Sequence, residues 1–201
     1  NYLKNIYSDA KIQYHTLFNF PPKLNRNNKS NYLREKYNIK NHQRVLLYQG
    51  VLQPGRGIKQ MIQIIHNTNN NVGIILGSGE LKNYYKKYVC QKQLIDKIYF
   101  IDNVPYMHLL KITASADIGF SLIRPLGISY KYALPNKLFE YAISGIPCLA
   151  SNLPNMEYYI NLIDLYNVFV NSKQFDVKPL TTFGMDFVVK FWLPGSSRSG
   201  E

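Results

Sequence analysis

The chain has 201 residues, of which 46% are hydrophobic and 18% charged; that suffices for one well-buried domain but not two of ordinary size, and excludes a disordered chain. Its longest apolar runs, such as 143–150, are broken by glycine or proline, far short of the roughly 20 residues of a membrane-spanning helix, and no stretch resembles a signal peptide. The formal net charge of +12, from 24 basic and 12 acidic residues, suits an anionic partner (nucleic acid, a phosphorylated substrate or an anionic membrane), although dispersed, solvated lysines account for it equally well.

Residues 1–44 are polar and rich in Asn and Lys, with Pro21-Pro22 as a turn and a short helix expected from Ser30 to Tyr37. They read as a lead-in segment. The continuous apolar run Val45-Leu46-Leu47-Tyr48 fits a strand buried on both faces of a parallel sheet. Ile58, Met61, Ile62 and Ile65 follow at helical spacing, forming one apolar stripe. A second strand spans 72–76. Leu81, Tyr84, Tyr85 and Tyr88 then repeat the stripe, with Lys82, Lys86 and Lys87 expected outward.

Three more cycles follow. Residues 98–101 read as a strand, and Pro105 suits the first turn of a helix carrying Leu109 and Leu110. Residues 117–122 form the next strand. Asn136 is placed to cap a helix with Leu138, Phe139, Ala142 and Ile143 inward, ended by Gly145. Residues 147–150 are a fifth strand, and Pro154 opens another helix. Strands alternating with helices predict right-handed βαβ units. The fold class is therefore α/β, a doubly wound, Rossmann-like parallel sheet over residues 45–170. Residues 171–201 continue no such rhythm; 188–193 are apolar enough for a strand or helix, and 195–201 read as a disordered tail.

Two cysteines, Cys90 and Cys148, lack CxxC spacing and favour a reducing compartment. Cys148, in an apolar run, reads as a small buried hydrophobe. The four histidines (His15, His42, His66, His108) show no metal-ligand spacing, so no metal site is expected.

Ligands of doubly wound sheets bind at the carboxyl ends of the strands, and four loops there stand out. The first, Gly50 to Gly57, combines glycines, a helix N-terminus and Arg56, which suits a diphosphate or, equally, a tight turn with a surface arginine. The second, Gly77-Ser78-Gly79, is weak evidence, since such a pair more often marks a plain turn. The third is Asp102-Asn103-Val104-Pro105, whose backbone groups would suit a flat base, an idea that composition alone supports little. The fourth holds Lys137 in the first helical turn, where a cation opposes the macrodipole unless an anion binds. Glu140 lies three residues on, among apolar positions, and needs a partner. Ribose hydroxyls would serve; so would Lys137 itself, paired at i, i+3 on an exposed face.

Tyr48-Gln49-Gly50 with Gly55-Arg56-Gly57, Leu76-Gly77-Ser78-Gly79, Ala114-Ser115-Ala116-Asp117-Ile118-Gly119, and Pro135-Asn136-Lys137-Leu138-Phe139-Glu140-Tyr141 with Gly145-Ile146-Pro147 occur in that order. On these residues the chain from 45 to about 160 resembles the C-terminal domain of retaining GT-B glycosyltransferases, in the bacterial group that builds surface polysaccharides. Even Asn19-Phe20-Pro21-Pro22 resembles the segment leading into that domain. The resemblance implies a site for a UDP- or GDP-sugar with no metal and no resident cofactor. Arg56 and Lys137 would contact the diphosphate, Glu140 the ribose, and the backbone near Val104 the base. Gly50 and Gly79 would leave room, and Asn136 opens the helix that carries Lys137. Such charge stabilisation of a departing diphosphate works without a metal.

Two positions depart from the pattern. Val51 stands where many relatives carry arginine, and Tyr132, eight residues before Glu140, where many carry a glutamate that contacts the sugar. The resemblance also implies that the catalytic base and acceptor site lie in an N-terminal domain this chain lacks. Alone it would bind donor and transfer nothing; with its other half it would move a hexose to a glycan or lipid-linked acceptor. A nucleotide-sugar epimerase of the same architecture is the alternative, but it would need further acid and base residues in the cleft. A basic nucleic-acid-binding module is less favoured, because arginines are few and the aromatics fall on core stripes. The expected location is the cytoplasm, with peripheral docking on the anionic inner face of the membrane.

Overall fold

The computed structural model describes residues 30–162 of the 201, together with Pro21 and residues 187–190. The sequence expectations for the rest of 19–22 and for 195–201 lie outside the described residues. The five apolar runs form β1 (Arg44–Gln49), β2 (Asn71–Leu76), β3 (Ile98–Ile101), β4 (Ile118–Ser121) and β5 (Cys148–Ser151). All pair in parallel, and a sixth strand, β6 (Phe187–Lys190), adds to β5 antiparallel, giving the order β3-β2-β1-β4-β5-β6. The chain builds outward from β1 to β3, then crosses back to place β4 on the other side of β1. That reversal makes the gap between β1 and β4 the topological switch point, where such sheets open a crevice.

Helices cover both faces. On one, α2 (Ile58–His66) and α3 (Lys82–Gln91) bury Ile58, Met61, Ile62, Ile65, Tyr85 and Val89 against Leu46, Tyr48 and Ile75. On the other, α1 (Tyr32–Lys36), α4 (Tyr106–Thr113) and α6 (Asn136–Ile143) contribute Leu33, Ile112 and Tyr141, packed on Val45, Leu47 and Ile74. A third cluster joins Leu138, Ala150 and Met156, where α6 and β5 meet α7 (Pro154–Leu162). Each fully buried aliphatic side chain is worth about 1.5–3 kcal/mol, so the strand and helix stripes dominate the stability of the fold.

Local details depart from the sequence pattern. The core reaches back past residue 45: Leu33 is fully buried, and Arg34 pairs with Asp117 at 2.6 Å while the Val45 N–H donates to the same carboxylate oxygen at 2.7 Å. On α3 the inward stripe is Tyr85 and Val89; Tyr84 is 48% exposed, and Lys82 turns back to pair with Asp102. Pro135 and Pro105, not Asn136, hold the N-cap positions of α6 and α4, because a proline there loses no helical hydrogen bond. On α6 the innermost side chain is Tyr141 rather than Ala142 or Ile143; its hydroxyl sits 3.3 Å from the Leu47 carbonyl and 3.2 Å from that of Phe120. The sequence pattern gave no hint of α5 (Ile128–Lys131). Cys90 is exposed and Cys148 half-buried, both free, and burial pushes the Cys148 thiol up to about 12, which leaves it chemically quiet. Among the described residues no helix is long and apolar enough to cross a membrane.

Candidate functional site

A cavity of about 510 Å³ opens at the carboxyl ends of β1, β2 and β3, on the α6 side of the switch point. Its walls hold Gly50, Arg56, Val104, Asn136, Lys137 and Glu140, six of the seven residues singled out from the sequence. The seventh, Gly79, lies outside it. A Cβ there would sit 2.4 Å from the Leu52 carbonyl oxygen and 2.6 Å from its nitrogen, so this glycine lets the second loop pack on the first. The two loops are laced by backbone hydrogen bonds, Gly50 N–H to Leu76 O at 3.0 Å and Leu52 N–H to Ser78 O at 2.9 Å. Of the second-loop glycines, Gly77 lines the cavity itself and Gly79 packs on Leu52 behind it.

Arg56 is held before any ligand arrives. Its guanidinium carbon lies 5.1 Å from the centre of the Tyr130 ring. The Gln53 amide, turned with its oxygen toward the guanidinium, accepts from Nε at 3.1 Å and Nη2 at 2.8 Å. Gly57, at φ +70°, lets the chain turn into α2 against the Leu122 backbone, where a Cβ would meet the carbonyl oxygen at 2.7 Å. The positioning of Arg56 thus follows from glycine conformations and two polar neighbours that the sequence motif alone does not reveal.

Lys137 and Glu140 are both 7% exposed. That removes the alternative of a pair on an exposed face. Among the described residues the ion pairs are Arg34–Asp117 and Lys82–Asp102, and Lys137 forms neither a hydrogen bond nor an ion pair. Its ammonium rests 3.9 Å from the centre of the Tyr48 ring, a cation–π contact. Burial first, and the charge of Arg56 second, bring this lysine down to about 7 from the ordinary 10.5. Two cations on one cavity, each making the other costlier, form a site that an anion would relieve.

Glu140 finds its partner in Gln49, which the sequence marks only as part of the Tyr48-Gln49-Gly50 motif, with no role attached. Gln49 Nε2 donates to Glu140 Oε2 at 2.5 Å, and the hydroxyl of Thr113 lies 2.8 Å from Gln49 Oε1. Burial raises the Glu140 carboxyl, opposed by the Gln49 hydrogen bond and by Lys137. Tyr132 is half-exposed, outside the cavity, its carbonyl accepting from Asn155 Nδ2 at 2.7 Å, whereas Val51 lines the rim and is 55% exposed. Asp102 of the third loop is tied to Lys82, whose hydrogen bond, and then its charge, hold the carboxyl below the usual range, leaving Asn103 and Val104 to the cavity wall.

The site is thus a crevice at the carboxyl ends of β1, β2 and β3 of a Rossmann-like sheet, with two basic side chains on its wall. Residues 29–170 match the family described as Glycosyl transferases group 1, and the chain belongs to that family. No curated protein matches the chain. Among solved structures it is similar to WaaG, a glycosyltransferase involved in lipopolysaccharide biosynthesis, at 18% identity and a TM-score of 0.56 over 69% of this chain and 36% of that one. It is also similar to Anabaena HepE in complex with UDP and glucose (14%, TM-score 0.52, 65% and 35% of the chains) and to S. aureus TarM in complex with UDP (16%, 0.52, 75% and 28%). The shared fold is that of the GT-B glycosyltransferases. The chain spans about a third of the length of these proteins.

Proposed function

We propose that this chain holds the nucleoside diphosphate of a UDP- or GDP-sugar, as the C-terminal, donor-binding part of a glycosyltransferase that passes a hexose to a glycan or lipid-linked acceptor. The observation that carries this reading is the convergence of Arg56 and Lys137, from separate loops, on one cavity at the carboxyl ends of β1, β2 and β3, beside the switch point. In it the diphosphate lies between the two cations and the N-terminus of α6, where Asn136 is the first helical residue. Glu140 accepts from the ribose, and the base packs near Val104. Gly50, with open space above it apart from Lys137 Nζ and the Tyr48 hydroxyl at 3.9 Å, leaves room for the ligand backbone. Family membership supports the reading, as do neighbours whose structures contain UDP. Donor positioning and stabilisation of the leaving diphosphate are the chemistry these residues supply; the acceptor and catalytic base are assigned to the rest of the protein. Among the described residues Glu140 is the one carboxylate on the cavity wall, which disfavours an epimerase. Calorimetric titration with UDP, GDP, UDP-glucose and GDP-mannose is expected to show saturable binding at about 10 µM to 1 mM, within the usual range of enzyme KM values. No binding, by this chain or a longer protein containing it, would overturn the reading.

The proposal extends to peripheral contact with an anionic membrane from the cytoplasmic side, through the outer face of α2 and α3. Those helices carry Lys59, Lys86 and Lys87 outward, with exposed Lys92 at the cap, and contain no carboxylate. Among them, Tyr84 stacks on Tyr88 at 6.3 Å, Lys59 and Lys92 flank the Tyr88 ring at 5.5 and 5.9 Å, and Ile95 is 59% exposed. Lysines among half-exposed aromatics suit the lipid interface. Binding to phosphatidylglycerol-containing vesicles is expected to weaken about thirtyfold in Lys86→Gln/Lys87→Gln, at ~1 kcal/mol per lysine. Lys36→Gln/Lys40→Gln, on the opposite side, should leave it unchanged. Indifference of sedimentation to lipid charge would remove the membrane contact.

A further inference from the structure

Gln49, Thr113 and Glu140 come from β1, α4 and α6, three of the elements that frame the cavity, and all are buried: 2%, 0% and 7% exposed. The Gln49 amide can serve an ionised Glu140 in only one orientation. Turned over, its oxygen would face the carboxylate oxygen at 2.5 Å, acceptor against acceptor. As it stands, Nε2 donates to Glu140 Oε2, while Oε1 lies 2.8 Å from the Thr113 hydroxyl, which is equally close to the Leu109 carbonyl within α4. Thr113 thereby ties the amide to the helix. One carboxylate oxygen is spoken for, and Glu140 still lines the cavity.

We propose that Gln49, braced by Thr113, is a positioning residue that fixes the Glu140 carboxylate for the vicinal hydroxyls of a ribonucleotide, and so sets discrimination between ribo- and deoxyribonucleotides. The inference rests on the donor-binding reading above. An ionised carboxylate only accepts hydrogen bonds, and each ribose hydroxyl brings a donor. A ligand lacking those hydroxyls leaves the buried carboxylate short of partners, and sites built to bond a hydroxyl reject analogues without it. The discrimination depends on the carboxylate staying in one rotamer and staying ionised. Gln49 serves both ends, since its hydrogen bond opposes the upward pull of burial on Glu140.

The test is calorimetry on the chain with UDP and with 2′,3′-dideoxy-UDP, repeated with the guanosine pair. The wild type is expected to prefer the ribonucleotide about ten- to a hundredfold, as for hydrogen bonds to a charged group. In Gln49→Leu the ribonucleotide should weaken to the level of the dideoxy compound, whose own affinity stays the same. The acid limb of ribonucleotide binding should move to higher pH, since Glu140 loses the donor that favours its ionised form. Glu140→Gln should lose the same preference, and adding Gln49→Leu to it should cost nothing more. Thr113→Val should erode the preference while Thr113→Ser keeps it, and these two variants decide the matter if Gln49→Leu does not unfold cooperatively. Equal weakening of both ligands in the variants, or no ribose preference in the wild type, overturns the positioning role and leaves the donor site standing. Failure of the wild type to bind either ligand overturns the donor reading itself.

Discussion

Lys137→Met is expected to weaken binding of a nucleotide sugar about a hundredfold while raising the melting temperature of the unliganded chain by roughly 2–8 °C. Both effects follow from one arrangement. A buried cation that forms no ion pair among the described residues, in the first turn of a helix and beside Arg56, is unfavourable to the free protein. The Tyr48 ring offsets this only in part. Methionine fills the same space without the charge. A bound diphosphate reverses the balance, because the ammonium then meets an anion inside a crevice of low polarisability.

The pH dependence of the two effects has opposite sign. The folded lysine titrates at about 7 and the unfolded one near 10.5. Between those values the unfolded chain holds a proton that the folded chain has released, so stability of the unliganded fold rises with pH across that window. Affinity for the diphosphate runs the other way, because only the charged ammonium attracts it: binding is strongest below about 7 and declines above. Above 7 binding takes up a proton, which calorimetry in buffers of different ionisation enthalpy measures. UDP-glucose or GDP-mannose, whose diphosphate does not titrate there, isolates the lysine. A flat pH profile together with unchanged affinity in Lys137→Met would show that the diphosphate does not meet Lys137.

The strands were legible because strands buried on both faces must be apolar at every position, as Val45 to Tyr48 are. Lys137 was legible for the opposite reason: a cation in a first helical turn breaks the local rule, and such breaks concentrate at sites. What stayed hidden is non-local or finely angular. Gln49 and Glu140 lie 91 residues apart and Gln49 and Thr113 64 apart, so no spacing encodes their network. Tyr84 and Tyr85 are adjacent on α3, about 100° apart around the axis, and tyrosine is compatible with either side of the boundary; the structure turns Tyr85 inward. β6 pairs with β5 across a long stretch of chain whose pattern carries no βαβ rhythm, and an antiparallel edge strand needs none. At Gly79 the close approach that excludes a side chain is to the Leu52 backbone, a contact between loops that no sequence spacing reveals.

Gly77→Ala is expected to destabilise the chain by about 3 kcal/mol or more, lowering its melting temperature by about 10 °C. Gly77 sits at φ +140°, a conformation that L side chains rarely adopt. A Cβ there would stand 2.0 Å from the Gly50 carbonyl oxygen and 2.9 Å from its carbon. Both obstacles are backbone, so no rotamer change relieves them. The first and second loops would have to part, stretching the Gly50–Leu76 and Leu52–Ser78 hydrogen bonds that lace them. Because Gly50 and Gly77 also form the floor of the cavity, nucleotide affinity should fall with stability. Gly127→Ala is the control: its backbone is extended at φ −179°, and no atom lies within 4 Å of the added carbon. Thermal unfolding of both variants measures the contrast, and equal melting temperatures would show that the loops are not locked together as the structure has them. The same contact explains why the two weakest sequence signals, the glycine pairs of the first and second loops, belong to one device. The second loop contributes by holding the first in place, and with it the turn that leads into Arg56.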